Sequence, residues 1–333
     1  MIYLLSNRRI FLKFIISLAV ILAVATATLS AQNIETYGVY YATGKYQDKI
    51  LLTLRKFLKD GEKCYLAVDL NTLRTQVINA SALTVQTESW QTIAAANAAT
   101  PYFKAITRAG EQALPMQDAG IVQGFTREKG VNLTIDLCPS HKPLDRVIFT
   151  SLISEFSKTE KPVPLSLSIS GRFMLTHRAD IEWLKSLEKA GKLSITWINH
   201  TYNHHYSPGV PLQENFLLKP GTDVRFEILG TEIAMLQHGL VPSVFFRFPG
   251  LVSDKAMVDK VLSFGLIPIG SDAWLAKGQQ AAPGSIVLIH GNGNEPIGVN
   301  DFLQLLRSEK KSVISRQWLL YDLRESLQDE FEN

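Results

Sequence analysis

From Val131 onward, short apolar runs of β-like character recur at regular intervals: VNLTID, VPLSLSIS, LSITWIN, SVFFRF, GLIPIG and SIVLIH. Between them lie LDRVIFTSLISEFSK, ADIEWLKSLEKA, VRFEILGTEIAMLQHG, DKAMVDKVLSF and VNDFLQLLRSE, whose apolar residues recur at helical spacing. Strands alternating with helices predict a mostly parallel sheet flanked by helices, and the number of runs allows a closed barrel. Ahead of Gly130 the pattern is mixed. Residues 33–129 combine a helix predicted at KILLTLRKFL with β-like pieces at KCYLAVDL and TQVINASALTVQT and an Ala-rich stretch at TIAAANAAT. The expected organisation is a leader over 1–31, an α+β extension over 32–129 without assignable chemistry, and an α/β domain over 130–333.

The leader reads as a processing segment. Arg8, Arg9 and Lys13 precede the 18-residue apolar run FIISLAVILAVATATLSA, with Ala31 or Ala27 as the last residue of a removed signal peptide. NRRIFLK resembles a twin-arginine signal, with Asn7 where Ser or Thr is usual. An ordinary secretory signal or an uncleaved anchor are the alternatives. Export to the periplasm or cell envelope is expected, with membrane contact only through an uncleaved leader. The leader holds three bases and no acids, so the whole chain's 34 Lys and Arg against 31 Asp and Glu becomes an even balance in the mature part. That balance argues against nucleic-acid binding. With 46% hydrophobic residues and no repeat, 333 residues suffice for one large core or one core with a small appendage.

Chemistry concentrates at the ends of the apolar runs. The stretch WINHTYNHHY carries His200, His204 and His205. His200 and His204 are four apart, a spacing at which two imidazoles converge on one metal ion if the backbone between them makes about one helical turn. Thr201 stands where a zinc protease of the H-E-x-x-H type carries its Glu, which excludes that mechanism. The bland reading makes these histidines polar loop caps. Asp136 ends the first run, Arg247 lies in the fourth, Asp272 follows the fifth and His290 ends the sixth. Parallel α/β folds gather the carboxyl ends of strands on one face, so these residues are expected around one mouth. Singly, Asp136 reads as a cap, Arg247 as a structural ion pair, His290 as a loop anchor and Trp274 as core.

The ordered set LTIDLCPS, NHTYNH, FFRFPG, GSDAW and IVLIH, spanning residues 130–308, resembles the motifs of the polysaccharide deacetylases, the family 4 carbohydrate esterases. The resemblance implies a distorted (β/α) barrel and a hydrolase that removes acetyl groups from an N-acetylated polysaccharide with one divalent metal ion, zinc being expected. It implies Asp136 as catalytic base, His200 and His204 as metal ligands, Arg247 as the residue holding the base and His290 as general acid. Asp272 with Trp274 roughly matches a further catalytic Asp and a wall-forming Trp, and Pro249 and Trp274 are the implied substrate contacts. Such chemistry needs a metal to polarise the carbonyl, a base for the water's proton and an acid for the departing amine.

The departure is Leu137, which replaces the family's second Asp, a metal ligand. Three repairs stand open: Asp136 becomes the third ligand, Cys138 supplies a thiolate two residues on, or the site is metal-free and the protein is an inactive carbohydrate-binding module. Cys138 is also open to a disulfide with Cys64, the only other cysteine, to a plain buried role, or to acting as a Cys-His nucleophile.

Overall fold

The computed structural model describes residues 32–126 and 129–332, with side chains through Leu327. The leader expected over 1–31 lies outside them. Asn33–Asn333 forms one compact unit. Among the described residues no helix is long and apolar enough to cross a membrane.

Five strands come first: β1 (Ile34–Tyr46), β2 (Lys49–Lys59), β3 (Glu62–Asp69), β4 (Thr75–Asn79) and β5 (Thr84–Thr87). They form an antiparallel sheet in the order β4-β3-β2-β1-β5. The helix predicted at KILLTLRKFL is instead strand β2. A register shift between Thr53 and Arg55 interrupts its alternation, and Leu51 faces one core cluster while Leu52 and Leu54 face another. A strand buried on both faces and broken by a bulge shows apolar spacings that mimic a helix.

The helices Trp90–Ala96 and Pro101–Glu111 lead into the second sheet. Its strands are β6 (Gly130–Leu137), β7 (Val163–Ile169), β8 (Leu193–Asn199), β9 (Phe245–Phe246), β10 (Ile267–Pro268), β11 (Ala273–Trp274), β12 (Ile286–His290) and β13 (Leu319–Leu320). The order is β10-β9-β8-β7-β6-β12-β11, all parallel, with β13 alongside β6. The sheet curls into an incomplete barrel surrounded by helices, among them Arg146–Phe156, Arg178–Lys189, Val224–Gln237, Lys255–Leu262 and Pro296–Ser308. This is the α/β architecture expected from the alternation.

Each central strand has two chemically distinct faces. Leu133, Ile135 and Leu137 pack with Leu165, Leu167, Ile169, Val287 and Ile289 against the helix layer. Asn132, Thr134, Asp136, Ser166, Ser168 and Thr196 project the other way and are also buried. The inner face is thus a polar row that ends at the carboxyl edge.

Residues 117–123 span the gap between the ends of the curled sheet. Ile121 bridges to Ile269 beyond β10, and Gln123 bridges to Ser285 ahead of β12. Gly120 sits at φ 95°, where an added Cβ would lie 2.4 Å from the Pro268 carbonyl oxygen, so the close approach requires glycine. The amino-terminal sheet is fastened by a buried ion pair: Arg55 Nε and Nη2 donate to Glu232 Oε2 and Oε1 at 2.7 and 2.9 Å, and the Tyr37 hydroxyl donates to the same carboxylate. Arg55 comes from β2 and Glu232 from the helix Val224–Gln237.

Two stability predictions follow from these buried groups. Arg55→Met leaves the Glu232 carboxylate buried without its cation and should cost about 3–5 kcal/mol in urea unfolding; a loss below about 1 kcal/mol would show the pair to be dispensable. Burial pushes the Glu160 carboxyl up to about 7, against the Leu320 amide it accepts at 3.0 Å. A carboxyl raised above its unfolded value contributes stability that is full below about pH 4.5 and is lost as pH rises through about 7. Glu160→Gln should therefore stabilise the fold by about 1–3 kcal/mol more at pH 8 than at pH 4. Equal unfolding shifts at the two pH values would contradict this assignment.

Candidate functional site

The register of β6 assembles the site. Asp136 is paired in register with Ser168 of β7 on one side and with His290 of β12 on the other, so the expected base and acid are cross-strand neighbours. Cys138 follows the end of β6 on the inner side with Asp136, whereas Leu137 turns outward into the core at 0% exposure. The Cys138 carbonyl accepts from the Asn292 side chain, and the Asn292 carbonyl accepts from Ser140 Oγ at 3.0 Å, which ties the loops after β6 and β12 together.

His200 and His204 converge, but not through a helical turn. The chain leaves β8 at Asn199, whose side-chain oxygen accepts from Thr201 N at 3.0 Å and whose amide donates to the Ile228 carbonyl at 2.9 Å. Thr201 and His204 both take positive φ, 65° and 46°. Asn203 is clamped by Glu227, whose two oxygens accept from its backbone and side-chain N–H groups at 2.8 and 2.7 Å. The result is a non-helical loop that folds the His204 ring back to 4.7 Å from His200, centroid to centroid. His205 contacts Ser207 Oγ at 3.1 Å and stays outside this pair.

His200 is fully buried, and its Nδ1 lies 2.9 Å from the Arg247 carbonyl. A carbonyl only accepts, so Nδ1 carries the proton and Nε2 keeps its lone pair. That Nε2 lies 3.5 Å from Cys138 Sγ and 3.7 Å from Asp136 Oδ2. His204 Nε2 is buried without a hydrogen-bond partner among the described residues. One donor atom each from Cys138, His200 and His204 lie within 4.8 Å of one another. Two imidazoles and a thiol, one imidazole with an orphaned buried nitrogen, form a donor set that fits a divalent ion of the zinc type.

Charge in the cluster is strongly coupled. Burial by itself raises the Cys138 thiol, but His204, His290 and His200 outweigh it and hold it well below the usual thiol range. Burial disfavours the charged form of His290, yet Cys138, Glu295 and Asp136 push it well above the ordinary imidazole value. His200 rises for the same reason, with Asp136 and Cys138 offsetting its burial. Arg247 is 0% exposed; burial lowers it, partly offset by Asp136 and Asp118. Its Nη2 donates to Thr134 Oγ1 at 2.8 Å, while Nε and Nη1, like Asp136 Oδ1, have no hydrogen-bond partner among the described residues. Arg247 and Asp136 thus share the buried end of the barrel without a direct ion pair among the described residues.

Cys138, His204, Trp274 and His290 line a cavity of about 780 Å³. Four placements differ from the sequence reading. Asp272 does not reach this cavity: its oxygens accept from Ser285 Oγ and Ile286 N at 3.1 and 3.0 Å, capping the start of β12 at the edge away from His290. Pro249 is buried in the turn Pro249–Leu251, and Gly250 is the member of that turn that meets the cavity. Glu295, which the sequence did not mark, takes the place beside His290. Its Oε2 lies 2.8 Å from His290 Nδ1, an ion pair too oblique for an aligned hydrogen bond, and accepts from Trp274 Nε1 at 2.8 Å. Gln117, from the segment closing the barrel, also lines the cavity. The GNGNEP loop after IVLIH was the only hint of Glu295, and nothing in the sequence marked Gln117. Cys64 and Cys138 are both free, Cys64 within a separate core cluster with Phe57 and Leu66.

No protein-family model matches the chain. Among solved structures it is similar to a family 4 carbohydrate esterase from Bacillus anthracis, with 17% identity, 68% of this chain and 91% of the other covered, and a TM-score of 0.47. A family 4 carbohydrate esterase of Bacillus subtilis gives 14% identity, 66% and 95% coverage and a TM-score of 0.44. A family 4 pseudoenzyme from Bacillus anthracis gives 16%, 62% and 68%, and 0.41.

Glu295 makes a testable contribution to the protonation of His290. Its carboxylate favours the imidazolium, so Glu295→Gln should lower the titration midpoint of His290 followed by NMR of the ring protons. An unchanged midpoint would leave Glu295 only its bond to Trp274.

Proposed function

We propose that the chain is an exported, metal-dependent hydrolase of the family 4 carbohydrate-esterase type, which removes N- or O-acetyl groups from a cell-wall or matrix polysaccharide. The leader composition supports export to the periplasm or envelope. In this reading residues 130–333 carry the chemistry and the extension over 32–129 closes the barrel around it. The observation that carries the proposal is the cluster at the carboxyl ends of the parallel strands, where His204 and His290 line the cavity with Cys138, and buried His200 lies 3.7 Å from Asp136, itself the cross-strand neighbour of His290.

His200 and His204 would hold the metal with a third ligand from β6 or the residue just beyond it. When bound, it supplies polarisation of the acetyl carbonyl and a lowered pKa for attacking water. Asp136 Oδ1, without another partner, takes the proton from water as the new C–O bond forms. His290 Nδ1 faces the Glu295 carboxylate, so Nε2 is the atom that gives its proton to the departing nitrogen as the C–N bond breaks, leaving acetate and a free amine. Trp274, held by Glu295, forms a wall beside His290 with ring centroids 5.8 Å apart.

The decisive experiment measures acetate release from N-acetylated glycan oligomers and from an activated acetate ester. Asp136→Asn should abolish turnover on both. His290→Ala should lower amide turnover by about 10²–10⁴-fold and ester turnover far less, because the ester's leaving group scarcely needs a proton. His200→Ala or His204→Ala should remove the bound metal. The replacement of a ligand by Leu137 favours a second reading, an inactive carbohydrate-binding module. Glycan binding that survives Asp136→Asn, in a wild-type protein that releases no acetate, would establish it.

A further inference from the structure

The three donors nearest one another are not those of a carboxylate site. Asp136 comes to 3.7 Å from His200 without joining a mutually close set, whereas one donor atom each from Cys138, His200 and His204 lies within 4.8 Å of the other two. We infer that the third metal ligand is the Cys138 thiolate, and that the cavity is a Cys-His-His site selecting a thiophilic ion of the zinc, cobalt or cadmium class over magnesium, calcium or manganese. This deepens the hydrolase reading, on which it rests for the choice of His200 and His204 as ligands.

Geometry makes the case. A tetrahedral ion with a Zn–S bond near 2.3 Å and Zn–N bonds near 2.05 Å separates sulfur from nitrogen by about 3.6 Å. Cys138 Sγ and His200 Nε2 are 3.5 Å apart. The remaining separations, all under 4.8 Å, require only a small closure. His204 Nε2 is buried and unpartnered, the condition of a nitrogen whose lone pair is meant for something other than protein. His200 is oriented by its Nδ1–H to the Arg247 carbonyl, the outer support that fixes a ligating tautomer. Cys138 is pinned through its own carbonyl by Asn292.

The chemistry of β6 agrees. Leu137 faces the core on the opposite side of the pleat, in contact range of a Cβ placed on Gly291, so a carboxylate at 137 would enter the apolar layer. The ligand function therefore moves one residue along the chain to the next inward position instead of being lost. Asp136 is then free of the metal and keeps one oxygen for proton transfer. A soft thiolate with two imidazoles disfavours the hard, oxygen-seeking cations.

The test titrates Co(II) into metal-free mature protein and reads the spectrum. A thiolate ligand produces a sulfur-to-cobalt charge-transfer band in the near ultraviolet together with visible bands of tetrahedral cobalt. The band should vanish in Cys138→Ser, with cobalt affinity lower by at least about 100-fold, since even outer-shell partners cost about 10–100-fold. Cys138→Asp should keep cobalt without the band, and Cys64→Ala should keep both, which guards against mere misfolding. Zinc and cadmium should displace cobalt, and magnesium should not.

Cobalt held by His200 and His204 with no charge-transfer band, or bound equally well by Cys138→Ser, would overturn the thiolate assignment and leave the hydrolase reading standing. A protein that binds neither cobalt nor zinc would overturn both. A charge-transfer band in a protein that releases no acetate would uphold the thiolate site while refuting the hydrolase.

Discussion

The site depends on one constraint, the register of β6 between β7 and β12. Parallel pairing sets Asp136 beside Ser168 and His290, and the pleat then turns Asp136 and Cys138 inward while Leu137 goes outward. A slip of one residue would exchange these faces, placing Leu137 in the cavity and a carboxylate in the helix-facing core. The apolar layer formed by Leu133, Ile135 and Leu137 with their neighbours on β7 and β12 opposes that slip. Thus the hydrophobic side of the sheet secures the chemistry on its polar side.

The price of that arrangement is visible in the buried polar groups. Asp136 Oδ1, Arg247 Nε and Nη1 and His204 Nε2 are buried without hydrogen-bond partners among the described residues. Each such group costs about 1–3 kcal/mol relative to a satisfied one. In the hydrolase reading their collection at one end of the barrel serves a ligand, because a core optimised only for stability would pair them or replace them by apolar groups. Stability comes instead from elsewhere, including the extensive apolar layer and the well-satisfied Arg55 and Glu232 pair.

The amino-terminal part contributes more than coverage. Residues 117–123 bridge the ends of the curled sheet through Ile121 and Gln123, and Gln117 reaches the cavity wall. Tyr41 of β1 donates to the Ser263 carbonyl, Thr75 of β4 to that of Pro242, and Tyr102 of the helix Pro101–Glu111 to that of Gly265, so the sheet of β1 to β5 and the helix after it are fastened to the loops beside β9 and β10. Closure of the barrel and support of its rim come from residues that carry no catalytic signature.

Local pattern alone determined the alternation of strands and helices after Gly130, since burial of one face imposes a period that survives in the sequence. It also marked His200, His204, Asp136, Arg247 and His290, because each lies in or beside the carboxyl end of a strand and parallel pairing gathers those ends. Tertiary structure decided the rest. The β2 strand looked helical because its bulge and two buried faces erase the period of two. Asp272 looked catalytic until its bonds to Ser285 and Ile286 placed it at the other end of β12. Glu295 lies beside His290 only because the loop after β12 folds back. The places of Leu137 and Cys138 were legible in part: the spacing of two put Cys138 on the same side of the pleat as Asp136, and only the long-range pairing of β6 decided that this side is the cavity and the other the core.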